Sequence, residues 1–166
     1  MNKQLWRRKF AVIATAIATA ILSHGSTAEA TTVLYVPQDD RPVSLAYTVA
    51  TAQDAGYTVL TPPQYYISGR NFQGNAEAMW RWVDENVSKA DVLVLSTDSL
   101  IYGGLVDSRK HNLDLHTLEY RVRHIEDLHK KYPTVPIYAF GTVMRSPRAS
   151  GGGVEPSYYD QYGPTI

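Results

Sequence analysis

The sequence contains no cysteine, which excludes disulfides and thiol chemistry and leaves an ordinary hydrophobic core to hold any fold together. It also lacks an apolar run long enough to cross a bilayer, because the one at residues 10–22 falls well short of the ~20 residues that hydrocarbon requires. Neither G-x-G-x-x-G nor a P-loop occurs, so its glycines support no nucleotide site, and the missing G-x-S-x-G elbow disfavours an ordinary serine hydrolase. No H-E-x-x-H is present, and of His111, His116, His124 and His129 only His111 falls in a loop after a strand. A zinc site is therefore not expected.

What is present begins with an export signal. Lys3, Arg7, Arg8 and Lys9 precede the apolar run, and STAEA follows it, with Ala28 and Ala30 at the small-x-small positions of signal peptidase. This anatomy predicts a signal peptide over residues 1–30, cleavage after Ala30 and work outside the cytoplasm, with no membrane anchor retained. Removing four basic residues and Glu29 from 16 of each sign leaves 12 basic and 15 acidic, a net charge of about −3. Such a balance gives no electrostatic case for nucleic acid.

Residues 31–166 read as one α/β domain in the order βαβαβαβ. VLYV (33–36) is a short strand, nearly all apolar, as suits one covered on both faces. From Leu45 a helix shows Leu45, Val49 and Ala52 on one stripe, with Gly56 as its stop. A strand at 57–63 ends in a double proline. A helix at 76–90 carries Met79, Trp80, Val83, Val87 and Ala90 on its stripe. The strand DVLVLST starts at Asp91. The next helix, N-capped by Asp114 and closed by Pro133, repeats Leu115, Leu118, Val122, Ile125 and Leu128 at helical spacing. IYAFGTVM (137–144) is the fourth strand, and no helix is expected in the closing YYDQYGPTI.

This order predicts right-handed crossovers and a mostly parallel sheet, either open and doubly wound or the first half of a (β/α) barrel. Ligands bind such sheets outside the carboxyl ends of the strands. Each segment after a strand thus faces one region: Asp39, Asp40 and Arg41 after the first; Asp98, Tyr102, Gly103, Gly104, Ser108 and Arg109 after the third; Arg145 and Arg148 after the fourth. If the sheet order starts 2-1-3-4, the first and third strands are neighbours at the switch point and their acids converge.

Asp98 is the leading catalytic candidate, with Asp39 or Asp40 as its partner. Carboxylates from separate loops can flank a glycosidic bond as acid and as base or nucleophile, or hold a divalent cation with hard oxygen ligands. The bland alternative is that Asp39 and Asp40 cap the following helix while Arg41 pairs with one of them. Adjacent side chains on extended backbone diverge, so only one of the two acids should face the site. Arg41, Tyr102, Gly103, Gly104, Ser108, Arg109 and Arg145 are the ligand-binding candidates, although the glycines most simply allow a positive-φ turn and only secondarily a close approach to ligand, and surface solvation accounts at least as well for Arg145 and Arg148.

VPQDDRPVS, STDSLIYGGLVDSR and YAFGTVMRSPR, in this order and spacing, resemble the N-terminal part of a bacterial family, domain of unknown function 4127. The resemblance spans residues 32–166 and implies secreted or cytoplasmic proteins several times longer than the mature chain, with no activity to carry over residue by residue. The chain thus reads as the N-terminal part of a longer domain. Three functions stay open: a hydrolase-like enzyme using strand-end carboxylates on a carbohydrate or cell-wall-type substrate, a non-catalytic module binding a small molecule or glycan, and an inactive remnant of a longer enzyme. An unpaired edge strand invites association, but the sequence specifies no oligomeric state.

Overall fold

The computed structural model describes residues 30–143 and 154–165. Residues 1–29 of the predicted signal peptide (1–30), Met144, Arg145, Arg148 and the glycine run 151–153 lie outside the described residues.

The strands β1 (Thr32–Val36), β2 (Thr58–Leu60), β3 (Val92–Ser96) and β4 (Ile137–Phe140) form one sheet in the order β2-β1-β3-β4. All neighbours are parallel, with Val36 opposite Leu95 and Leu95 opposite Ala139. The order 2-1-3-4 thus holds, and β1 and β3 are adjacent where the winding reverses. β1 begins one residue before its predicted run, whereas β2, β3 and β4 are each shorter than predicted. Pro62 and Pro63 stop β2 early, since a proline has no N–H to give to a ladder.

The helices follow from their stripes and caps. In α1 (Ala46–Asp54) Leu45, Val49 and Ala52 are half-buried against the sheet, and Gly56, at φ +90°, turns the chain out. In α2 (Ala76–Asn86) the Asn75 side chain accepts from the Ala78 amide at 2.9 Å, and Met79, Trp80 and Val83 are buried. The helix gives way to a 3-10 turn at Val87–Lys89, so the stretch predicted as one helix has two parts. A π-helical turn at Asp98–Tyr102 and the short α3 (Asp107–Lys110) follow β3. In α4 (Leu115–Lys131) the predicted cap is present, with the Asp114 carboxylate accepting from the amide and hydroxyl of Thr117, each at 2.9 Å. The closing segment, expected to have no helix, forms the single turn α5 (Tyr159–Tyr162) and a 3-10 turn at Gly163–Thr165.

The core lies between α2, α4 and one sheet face. Leu34, Val36, Leu93 and Leu95 are fully buried there with Met79, Val83, Val87 and Leu128. Each such side chain is worth about 1.5–3 kcal/mol of apolar burial. Tyr35 points to the opposite face, where its hydroxyl donates to the Ser44 carbonyl at 2.5 Å just before α1, and burial raises its phenol pKa.

One stripe is set differently from its prediction. Leu115 is 70% and Val122 44% exposed, while Arg121 is buried beside Leu128. The guanidinium of Arg121 turns inward to bonds described below, and this rotates the buried face of α4 away from the purely apolar reading.

Candidate functional site

β1 and β3 run side by side to their carboxyl ends, so the segments after Val36 and Ser96 leave the sheet together. There Oδ2 of Asp98 accepts from Nε2 of Gln38 at 2.9 Å and from the Thr142 amide at 3.0 Å. The Gln38 amide also donates to Oγ1 of Thr142. One carboxylate, only 4% exposed, therefore joins the loops after β1, β3 and β4. Ser99 adds a second tie, its hydroxyl donating to the Pro37 carbonyl at 2.6 Å.

Asp39 and Asp40 lie in the bend after β1 and take different partners. Asp39 is buried, and its Oδ2 accepts from Nε of Arg41 at 2.6 Å, while the Arg41 side chain is half exposed. Asp40 faces the segment after β2: its amide donates to the Ser68 carbonyl at 2.8 Å, and its Oδ2 lies 3.0 Å from where a Cβ on Gly69 would sit. Neither acid caps α1. Leu45 holds the N-cap position without a side-chain bond, because a turn intervenes in which the Ser44 and Leu45 amides both donate to the Arg41 carbonyl. Of the bland reading, the Arg41–Asp39 pair is present and the capping role is not.

The turn that carries Asp98 is π-helical, a form that leaves backbone carbonyls for outside partners and is frequent at functional sites. Here the partners come from distant helices. Nε1 of Trp80 donates to the Leu100 carbonyl at 2.9 Å, and Nη1 of Arg121 donates to the Ile101 carbonyl at 2.6 Å. Arg121 also pairs with Oε1 of Glu77 through Nε at 3.0 Å and Nη2 at 2.9 Å. Trp80 in turn stacks on His124, ring centroids 4.1 Å apart, and His124 lies 3.1 Å from Asp84. Gly103, at φ +105°, ends the turn.

The ligand-binding candidates after this turn spread out. Tyr102 is carried round to His111, with ring centroids 4.7 Å apart. Gly103 and Gly104 pack against chain: a Cβ on Gly103 would lie 3.0 Å from the Gly74 carbonyl oxygen, and one on Gly104 would fall 1.7 Å from Oγ of Ser68. The Ser108 hydroxyl donates to the Leu105 carbonyl at 2.8 Å, within the local turn, and Nε of Arg109 is buried without a hydrogen-bond partner.

Two residues that sequence reasoning passed over belong to this edge. Gln38 links Asp98 to the first loop, and its only signal was an amide set directly after a strand. Asp107 is buried, and that burial raises its carboxyl pKa against the lowering effects of the Gly74 amide, the Gln73 side chain and nearby Lys110. It borders two polar clefts of about 400 Å³ each, one toward Arg70 and Phe72, the other toward Tyr102 and His111. Among the described residues, no cluster of three or more His, Cys, Asp or Glu side chains stands ready to hold a metal. Also among them, no helix is long and apolar enough to cross a membrane.

The family model described as protein of unknown function (DUF4127) matches residues 33–166. The chain belongs to that family. No curated protein matches it.

Proposed function

We propose that the chain is an exported, hydrolase-like α/β protein whose strand-end carboxylates Asp98 and Asp39 act on a carbohydrate or another polar cell-wall-type substrate. The observation that carries this reading is the adjacency of β1 and β3 at the switch point, where the loops bearing both acids are joined through Gln38. Asp98 accepts two N–H donors, which fix the orientation of its carboxylate at the strand ends. Arg41 compensates the charge of Asp39 and stands half exposed, able to grip a polar substrate group. Export rests on the basic, apolar and small-residue sequence of residues 1–30.

The test is release of reducing ends from purified peptidoglycan and soluble glycans. Asp98→Asn should lower kcat about 10²–10⁴-fold, the usual worth of a positioned proton-transfer group, with Asp39→Asn also impaired. Turnover unchanged in both variants would remove these acids from the chemistry.

A second reading, a non-catalytic sugar- or anion-binding module, is favoured by one observation: both carboxylates already have partners within the chain. It expects no turnover, and ligand binding that survives loss of both acids.

A further inference from the structure

The cleft between the start of α2 and the π-helical turn stands apart from the Asp98 junction. It measures about 400 Å³ and is lined by Glu77, Tyr102, Asp107, His111, Asn112 and Arg121, among others. That volume falls within the ~300–1,000 Å³ typical of small-molecule sites.

Its charges are already balanced from within. Arg121, the cation of the cleft, is engaged by Glu77 and by the Ile101 carbonyl, so an incoming phosphate or carboxylate meets no uncommitted guanidinium. Glu77 is neutralised by the same pair, which leaves Asp107 as the one other acid of the lining, short of the several oxygen ligands that a hard metal cation takes. Neither an anion nor a metal cation is therefore the natural guest.

What the cleft offers is an aromatic wall beside mixed hydrogen-bonding groups. The rings of Tyr102 and His111 pack against each other, centroids 4.7 Å apart at 35°, so that each holds the other in place and an outer face is left for the C–H face of a ring. Nδ1 of His111 accepts from the Leu113 amide at 3.3 Å, which assigns the proton of the neutral ring to Nε2 as a donor. Asn112 both donates and accepts, and the Asp107 carboxyl oxygens accept.

We propose that this cleft is a binding subsite for one neutral pyranose-type sugar ring, stacked against the Tyr102–His111 pair and hydrogen-bonded by Asp107 and Asn112. The inference deepens the carbohydrate reading above. Its readout is binding and not turnover, so either can fail while the other stands.

Saturation-transfer NMR with glucose and with N-acetylglucosamine on the purified chain tests it. Transfer to ring C–H protons is expected from at least one of the two sugars. Tyr102→Ala should weaken binding about two- to tenfold, the worth of an aromatic contact, and Asp107→Asn should weaken it too. Tyr102→Leu keeps the bulk and loses the π face, so it replaces Tyr102→Ala if that variant melts early. Inorganic phosphate should not compete. Absence of transfer from both sugars, binding unchanged in the folded Tyr102 and Asp107 variants, or displacement by phosphate would each overturn the proposal.

Discussion

Gln38 and Asp98 meet at 2.9 Å although 60 residues separate them, and the Thr142 amide reaches the same carboxylate oxygen at 3.0 Å. The contact fixes the relative positions of three strand-end loops through one largely buried acid. Any chemistry assigned to Asp98 must therefore be separated from its part in holding those loops.

The first prediction makes that separation. Asp98→Ala leaves the Thr142 N–H without its acceptor and the Gln38 amide with only the Thr142 hydroxyl, and should cost about 1–3 kcal/mol. Asp98→Asn keeps one acceptor oxygen in place and should cost less. Urea midpoints for the two variants check this, and equal midpoints for wild type and Asp98→Ala would show that the junction contributes nothing to stability.

The π-helical turn depends on Arg121. Arg121→Ala removes the donor to the buried Ile101 carbonyl as well as the partner of Glu77, and an expected loss of about 1–3 kcal/mol follows from the orphaned carbonyl. Glu77→Gln touches the same cluster from a side chain that is 52% exposed, and should cost less than about 1 kcal/mol. A double-mutant cycle on the pair, read by denaturation, distinguishes a role centred on the turn from one centred on the ion pair. Near-equal costs for the two single variants would favour the ion pair.

Much of the architecture was legible because it depends on local pattern. The apolar strand runs, the stripe of α2, the Asp114 cap and Gly56 as a helix stop each lie within a few residues of the structure they determine. The strand order 2-1-3-4 was an assumption on which the meeting of the first and third loops depended, and the sheet has that order. The π-helical turn was not legible, since its carbonyls are held by Trp80 and Arg121 from helices distant in sequence. The rotation of α4 was hidden for a related reason: a charged residue on its buried face breaks the apolar rule only when its partners are known. Asp107 was passed over, because its burial beside the Gly74 loop is a tertiary fact. Arg145 and Arg148 lie outside the described residues.

The two glycines after the turn answer to different constraints. Gly104→Ala would put a methyl group 1.7 Å from Oγ of Ser68 and 2.4 Å from its Cβ, so backbone must move, and a loss of about 1–3 kcal/mol is expected from overpacking. At Gly103 the same substitution meets an unfavourable φ of +105° whatever the space. Replacing Ser68 by Ala removes the nearer clash but not the one at Cβ, so Ser68→Ala should recover only part of the Gly104→Ala loss. Full recovery in the double variant, measured by thermal melting, would place the whole constraint on the hydroxyl.

Asp107 and Asp114 should respond to pH in opposite senses. Hydrogen bonds from the amide and then the hydroxyl of Thr117 lower the Asp114 pKa below its ordinary 3.8, so its stabilising effect is present above that value and is lost as pH falls through the folded-state pKa. For Asp107, burial raises the folded-state pKa above 3.8. The folded state then binds its proton more tightly than the unfolded chain does, so the favourable contribution is complete below 3.8 and fades as pH rises through the raised value. Asp107→Asn carries no titrating proton at this position. Its stability relative to wild type should therefore increase as pH rises from below 3.8 through the raised pKa, and level off above it. Urea midpoints for both proteins across that range check the sign: parallel curves would mean that Asp107 titrates alike in the folded and unfolded chains, and a relative loss by the variant would mean that its charged form is the one the fold favours.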